Sequence, residues 1–257
     1  MMKRVIAASL CLLLIIACFG CRSTSQEAAQ QNAAVETDPN AARFEEHPST
    51  NTGLSYCLYV PASPTANMPL IVYLHGDSGR GSDLSLVYAD SLPHYLKEEQ
   101  LGDVRAYVLM PQLKADYNNW TDAAAQLRAL ILSTARAYQI NVSRVSLTGH
   151  SLGGTGTWSL ALSDTDLFSA IAPLSGSVRD TVVNLDKLGN MPVWAFVGSA
   201  DTVVKPNSSE SFVAKLKATG SPAEITVLEG AAHFDVPGLV YLDPTYDLIG
   251  WLTAQTK

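Results

Sequence analysis

The chain has 257 residues, of which 47% are hydrophobic and 16% are charged. This is enough to bury the core of one domain of the larger α/β type. The formal net charge is −7, which argues against binding to nucleic acid, because that function needs a basic surface.

The first twenty residues have the pattern of an export signal. Lys3 and Arg4 give a short basic start, and residues 5–16 are almost purely apolar. The apolar run is shorter than the roughly 20 residues that a membrane-spanning helix needs. We therefore expect residues 1–20 to be removed as a signal peptide.

Cys21 follows Gly20 at the end of this signal. The arrangement resembles the lipobox of bacterial lipoproteins, in which the cysteine is lipidated at its thiol and becomes the new N-terminus, although Cys18 replaces the usual aliphatic residue. Residues 21–44 are polar and predict a flexible tether. We expect an extracytoplasmic lipoprotein held to the bacterial membrane at Cys21. Secretion after cleavage of an ordinary signal peptide is the alternative.

Cysteine usage predicts no disulfide framework in the mature chain. Cys11 and Cys18 leave with the signal, and lipidation would occupy Cys21. Cys57 then remains as a free thiol in an alternating, strand-like run, where a small buried residue is expected.

From residue 45 onward, short apolar runs alternate with longer amphipathic segments. We predict strands at residues 54–60, 70–74, 106–110, 145–148, 169–172, 193–197 and 225–228. We predict helices at residues 121–138, 152–162, 208–218 and 246–253. This alternation indicates an α/β catalytic domain over residues 45–257, with a mostly parallel sheet and helices on both faces.

Four polar side chains follow predicted strands, where open α/β sheets place their ligand sites. They are His75, Ser151, Asp201 and His233. A serine hydroxyl is a poor nucleophile unless a base takes its proton and a carboxylate orients that base. Asp235, Asp180 and Asp247 are weaker candidates for the carboxylate, while His47 and His94 lie outside strand ends and are expected at the surface.

The sequence around Ser151 has the G-x-S-x-G pattern of a nucleophile elbow, between a strand and a helix. Here the chain resembles the α/β-hydrolase family, and within it the secreted esterases related to polyhydroxyalkanoate depolymerases and to feruloyl and acetyl-xylan esterases. The resemblance covers residues 53–255. It is carried by Leu74-His75-Gly76, Gly149-His150-Ser151-Leu152-Gly153-Gly154, Gly198-Ser199-Ala200-Asp201 and Gly230-Ala231-Ala232-His233. It implies that Ser151 is the nucleophile, His233 the general base and later acid, and Asp201 the orienting acid.

An oxyanion hole needs two backbone N–H groups. We expect Leu152 to supply one and Asp77 the other, with Gly76 as the alternative to Asp77. The predicted substrate-binding residues are His75, Gly76, His150 and Trp120. Trp120 has a second interpretation, in which it only packs at the domain edge.

The expected activity is hydrolysis of carboxylic esters through an acyl-enzyme, without a metal or an organic cofactor. Residues 175–190 are too few for a multi-helix lid, so we expect an open cleft. Such a cleft suits short-acyl or aromatic esters on carbohydrate. A peptidase related to the prolyl oligopeptidases and a non-catalytic surface-binding lipoprotein are the alternatives.

Overall fold

The structure is a computed structural model, and it describes residues 38, 40–49, 53–178 and 187–257. The predicted signal, Cys21 and most of the predicted tether lie outside the described residues. So do residues 179–186 of the predicted short connection, which include Asp180.

Among the described residues, strands and helices alternate along most of the chain. The strands are β1 (Arg43–His47), β2 (Tyr56–Val60), β3 (Leu70–Leu74), β4 (Tyr107–Pro111), β5 (Val145–His150), β6 (Ala170–Leu174), β7 (Val193–Gly198) and β8 (Ala223–Leu228). The helices are α1 (Ser91–Lys97), α2 (Ala124–Ala137), α3 (Leu152–Ser163), α4 (Asn207–Ala218), α5 (Val236–Tyr241) and α6 (Leu248–Ala254).

All eight strands form one sheet in the order β1-β2-β4-β3-β5-β6-β7-β8. β1 pairs antiparallel with β2, and β2 pairs antiparallel with β4. Every other pair in the sheet is parallel. The prediction of a mostly parallel sheet is confirmed. The carboxyl ends of β3, β5, β6, β7 and β8 therefore meet at one edge.

Helices cover both faces of the sheet, as predicted. In β3, Leu70, Val72 and Leu74 face one core, while Ile71 and Tyr73 face the other. The first core is closed by side chains of α2, α3 and α4, and the second by side chains of α1, α5 and α6. Examples are Leu127, Trp158 and Phe212 on the first face, and Leu92, Val240 and Leu252 on the second.

The sequence patterns miss three elements. β1 is a polar edge strand of sequence RFEEH, and it begins at Arg43, inside the predicted tether. α1 contains Pro93, and α5 begins with Val236-Pro237. Proline suggests a break in a helix, but the first turn tolerates it because the N–H groups there have no partner within the helix.

A further feature is the free thiol of Cys57. Cys57 is fully buried, and burial raises the pKa of its thiol to about 11. This fits the packing role that the sequence predicts, since the thiolate is the reactive form.

Within the described residues, no helix combines the length and the apolar character needed to cross a membrane.

Candidate active site

Ser151 forms the turn between β5 and α3. Its backbone has φ 59° and ψ −117°, a combination that is strained for any residue with a side chain. Its N–H donates to the carbonyl of Leu174 at the end of β6, at 3.0 Å. The surrounding sheet therefore holds the serine in a conformation that it would not adopt alone.

Three glycines make this turn sterically feasible. A Cβ on Gly153 would lie 1.8 Å from the carbonyl oxygen of Leu74, and one on Gly149 would lie 2.5 Å from the same oxygen. A Cβ on Gly154 would lie 2.3 Å from the carbonyl oxygen of Leu174. The elbow thus approaches the ends of β3 and β6 too closely for any larger residue.

Ser151, His233 and Asp201 form a continuous hydrogen-bonded chain. The distance from Ser151 Oγ to His233 Nε2 is 2.9 Å, and the distance from His233 Nδ1 to Asp201 Oδ2 is 2.7 Å. With Nδ1 protonated and donating to the carboxylate, Nε2 is free to accept the serine proton. The side chains of His233 and Asp201 are only 3% and 0% exposed, so bulk water does not compete for these bonds.

Asp201 is held at both carboxylate oxygens. Oδ1 accepts hydrogen bonds from the N–H groups of Val203 and Val204, at 2.9 and 2.8 Å. Burial by itself would raise the pKa of Asp201, but the hydrogen bonds from His233, Val204 and Val203 outweigh it and lower that pKa. The carboxylate is therefore charged and fixed in orientation.

The other candidate acids and bases that the structure describes have different partners. Asp235 Oδ2 accepts from the N–H of Ala232 at 2.8 Å and closes the turn around His233. Asp247 caps α6 by accepting from Gly250. His47 lies in β1, and His94 lies in α1. Asp201 is the carboxylate that contacts the His233 ring.

Leu152 and the loop after β3 flank Ser151. Leu152 is the first residue of α3, so its N–H has no partner within the helix and lies at the positive end of the helix dipole. A Cβ on Gly76 would lie 3.6 Å from Ser151 Cβ. Asp77 opens the short 3₁₀ turn Asp77–Gly79, and its side chain points to Arg80 at 3.0 Å. Gly76 therefore lies next to Ser151, and Asp77 follows it directly.

His75 is not a substrate contact, contrary to the prediction. It is 1% exposed, its Nδ1 donates to the Gly76 carbonyl at 2.5 Å, and its Nε2 accepts from the Leu113 N–H at 3.0 Å. Burial lowers its pKa to about 4, so the ring is neutral. His75 holds the loop after β3 from inside the protein.

Trp120 also supports this loop from inside. It is fully buried, its Nε1 donates to the His75 carbonyl at 3.2 Å, and its ring packs against the His75 ring at 4.8 Å. Gly156 makes room for the indole, because it lacks the side chain that would otherwise occupy that space. Trp120 is also among the residues that line a groove beside Leu152, so its contact with substrate stays a prediction.

His150 is likewise a supporting residue rather than a substrate contact. It is 4% exposed, and its Nε2 donates to the His233 carbonyl at 3.0 Å. Burial and the nearby His233 lower its pKa to about 4. Its position directly before Ser151 suggested exposure in the site, but the side chain turns into the protein beneath the His233 loop.

Two further residues lie near the site, of which Phe234 was not identified from the sequence. Phe234 follows His233 and is 77% exposed, with its ring 5.0 Å from the His233 ring. Gln112 is buried, and its Nε2 donates to the carbonyls of Gly79 and Asp83 at 3.0 and 2.7 Å, which ties the loop after β3 to the end of β4. Only the position of Phe234 beside a triad candidate could have signalled its importance.

The fold and the Ser–His–Asp arrangement define an α/β-hydrolase. The model of the dienelactone hydrolase family matches residues 100–236, which include all three residues of the arrangement. The chain belongs to this family. Within the described residues, no group of three or more His, Cys, Asp or Glu side chains could hold a metal ion.

Similar proteins include esterases. A bifunctional acetylxylan esterase/xylanase of Neocallimastix patriciarum is 26% identical over 162 residues, which cover 61% of this chain and 22% of that protein. The structure of a thermostable esterase is 26% identical with a TM-score of 0.68, covering 84% of this chain and 63% of that one. A feruloyl esterase module of Clostridium thermocellum is 16% identical with a TM-score of 0.58, covering 84% and 88%. The chain spans about a fifth of the first relative and less than two thirds of the second, and the third shows the fold alone.

The elbow geometry predicts that Gly153→Ala is severely destabilising. The added Cβ would overlap the Leu74 carbonyl, so the strand end or the helix must shift, at a cost of about 3 kcal/mol or more. Gly238→Ala is the matched control, because its Cβ would meet nothing closer than the Tyr95 hydroxyl at 3.4 Å. Thermal unfolding should show a large drop in Tm for the first variant and little change for the second. Equal Tm values would contradict the account.

The buried histidines predict a loss of stability in mild acid. His75 and His150 have pKa values of about 4 when folded, against about 6.5 when unfolded. Between these values the unfolded chain binds more protons, so the stability present above pH 6.5 decreases as the pH falls toward 4. Urea unfolding at pH 7 and pH 5 should show a loss on the order of 1–2 kcal/mol per histidine. His150→Gln should reduce that loss, whereas an unchanged loss would count against His150 as a source.

Proposed function

We propose that the protein is a serine hydrolase of carboxylic esters. Ser151 is the nucleophile, His233 the general base and then the general acid, and Asp201 the carboxylate that orients His233. The observation that carries the proposal is the hydrogen-bonded chain from Ser151 Oγ through the His233 ring to Asp201, combined with the strained backbone of Ser151.

The reaction follows from this chain. His233 Nε2 removes the proton from Ser151 Oγ as the oxygen attacks the ester carbonyl, and Asp201 stabilises the imidazolium that forms. The imidazolium then protonates the leaving alcohol, which leaves an acyl group on Ser151. Water then attacks the acyl carbonyl while His233 removes one of its protons. The bond from the carbonyl carbon to Ser151 Oγ breaks, the imidazolium returns the proton to Oγ, and the acid is released. No cofactor takes part in the proposed steps.

The tetrahedral intermediate carries a negative oxygen that needs hydrogen-bond donors. We assign one donor to the Leu152 N–H, at the start of α3. We assign the other to the Asp77 N–H, with the Gly76 N–H as the alternative, because this loop lies against Ser151. His75, Trp120 and Gln112 support the loop from behind, so the donors need little reorganisation during the reaction.

The prediction is that a fluorophosphonate labels Ser151 and that labelling abolishes ester hydrolysis. Ser151→Ala should lose the label and most of the activity, roughly 10³-fold or more. Ser133→Ala, at an exposed serine of α2 outside the groove, is the control and should behave as wild type. A folded protein that neither reacts with the probe nor hydrolyses esters would instead support a non-catalytic, surface-binding lipoprotein. Cleavage of peptide amides as fast as esters would support a peptidase.

We also propose that the substrates are short-acyl or aromatic esters on carbohydrate. One 26% identical relative carries an acetylxylan esterase activity in its name. A groove of about 420 Å³ is lined by Trp120, Leu152 and three residues with hydroxyl groups, Thr121, Thr155 and Ser159. Such a lining suits a polyhydroxylated chain. The exposed ring of Phe234 beside His233 offers a face for an aromatic group or a sugar ring.

A panel of acetyl, feruloyl and long-chain acyl esters tests the substrate class. We expect the acetyl and feruloyl esters to be preferred, and Phe234→Ala to raise KM for the feruloyl ester about 5–10-fold, because an aromatic contact is lost. The control is Val142→Ala, which removes an exposed apolar side chain near the amino end of β5. A clear preference for long acyl chains would refute this substrate class.

For the location, we propose an extracytoplasmic lipoprotein anchored at Cys21, with soluble secretion as the alternative. The support is the basic start, the apolar run and the Gly20-Cys21 junction, followed by a polar tether.

The prediction is that the wild-type chain incorporates a labelled fatty acid and fractionates with membranes, because acylation at Cys21 adds the anchor. Cys21→Ser should abolish both, whereas Cys57→Ser, at the buried thiol, should leave both unchanged. Membrane association that survives Cys21→Ser would overturn the anchoring site.

A further inference from the structure

His150 connects the strand of the nucleophile to the loop of the base. It is the last residue of β5, directly before Ser151, and its side chain is almost fully buried. Its Nε2 donates to the carbonyl oxygen of His233 at 3.0 Å, and the two imidazole rings lie 4.7 Å apart at an angle of 38°. One side chain thus contacts both the backbone and the ring of the proposed general base.

We propose that His150 is a positioning residue that sets the place of His233 relative to Ser151. The inference rests on the proposed function, since it concerns the base of that reaction. The juxtaposition that carries it is a buried imidazole on β5 that donates to the carbonyl of His233 while its ring packs against the His233 ring.

His233 needs such a support because it lies in the connection between β8 and α5. The Ala200 N–H donates to the Ala231 carbonyl at 3.0 Å, and Asp235 accepts from the Ala232 N–H at 2.8 Å. These bonds fix the residues before the base but not its own peptide. The bond from His150 reaches that peptide, and it comes from the strand that also places Ser151. Nucleophile and base are therefore fixed to one strand, which keeps their 2.9 Å contact.

The charge state of His150 suits this role. In the reaction His233 becomes an imidazolium, and a second cation 4.7 Å away would oppose it. Asp201 and His233 are the titratable groups that act on His150, and burial together with His233 lowers the pKa of His150 to about 4. The neutral ring has one proton, which lies on Nε2 because the His233 carbonyl can only accept.

The matched variants are His150→Gln and His150→Met, two unbranched side chains of similar length. Gln keeps an N–H donor near the place of Nε2, and Met does not. We expect His150→Met to lower kcat roughly 10–100-fold with little change in KM, since a small misplacement of a catalytic group costs about that much. His150→Gln should keep kcat within roughly 3-fold of wild type. Wild-type kcat in the Met variant, or equal losses in both variants, would overturn the proposal.

A second measurement does not depend on ester turnover. We expect the proton that His233 Nδ1 shares with Asp201, across 2.7 Å, to give a far-downfield NMR resonance, which Asp201→Asn should remove. We expect the resonance to persist in His150→Gln and to broaden or vanish in His150→Met. Its persistence in both would overturn the positioning role. If the Met variant does not fold, a loss of kcat greater than roughly 10-fold in folded His150→Gln also overturns it.

The esterase proposal and the His150 proposal can fail independently, and different measurements show which one has failed. Absence of esterase activity and fluorophosphonate labelling in the wild type would refute the proposed function. The NMR comparison would still decide whether His150 positions His233.

Discussion

The close approach of the Ser151 turn to the ends of β3 and β6 is the constraint on which the rest of the site depends. Gly149 and Gly153 face a single carbonyl oxygen, that of Leu74, at distances that exclude any Cβ. This contact, with the hydrogen bond from the Ser151 N–H to Leu174, holds a non-glycine residue at φ 59°. The cost of that strain is offset by the packing of β5 and α3. The position of Ser151 is therefore a property of the sheet.

The other two members of the hydrogen-bonded chain lie on loops, and their positions depend on polar contacts. Asp201 is fixed by the N–H groups of Val203 and Val204, and His233 is fixed by Asp201 and His150. Two buried neutral imidazoles lie near Ser151. His75 links the Gly76 carbonyl to the Leu113 N–H, and His150 donates to the His233 carbonyl, and neither adds a charge. The resulting stability is sensitive to acid, as expected where buried histidines must become protonated.

Hydrophobic patterning was sufficient to predict the parallel strands, since runs such as Leu70–Leu74 are buried on both faces. It failed for β1, which is polar because it lies at the sheet edge. The positions of Asp201 and His233 shortly after predicted strands also indicated that both residues lie near Ser151. Side-chain direction was not predictable: His75, His150 and Trp120 all lie next to the site in sequence or in space, yet each turns inward. That choice depends on cavities and hydrogen-bond partners contributed by distant segments, such as Leu113 for His75.

The central claim is that Ser151 and His233 act as one unit. The most direct test is to measure kcat/KM for ester hydrolysis in Ser151→Ala, His233→Ala and the double variant. If the two residues form a single proton-transfer chain, the double variant should be no slower than the slower single variant, because either substitution already disables the chain. Losses that multiply in the double variant would show that the two residues act independently and would contradict the account.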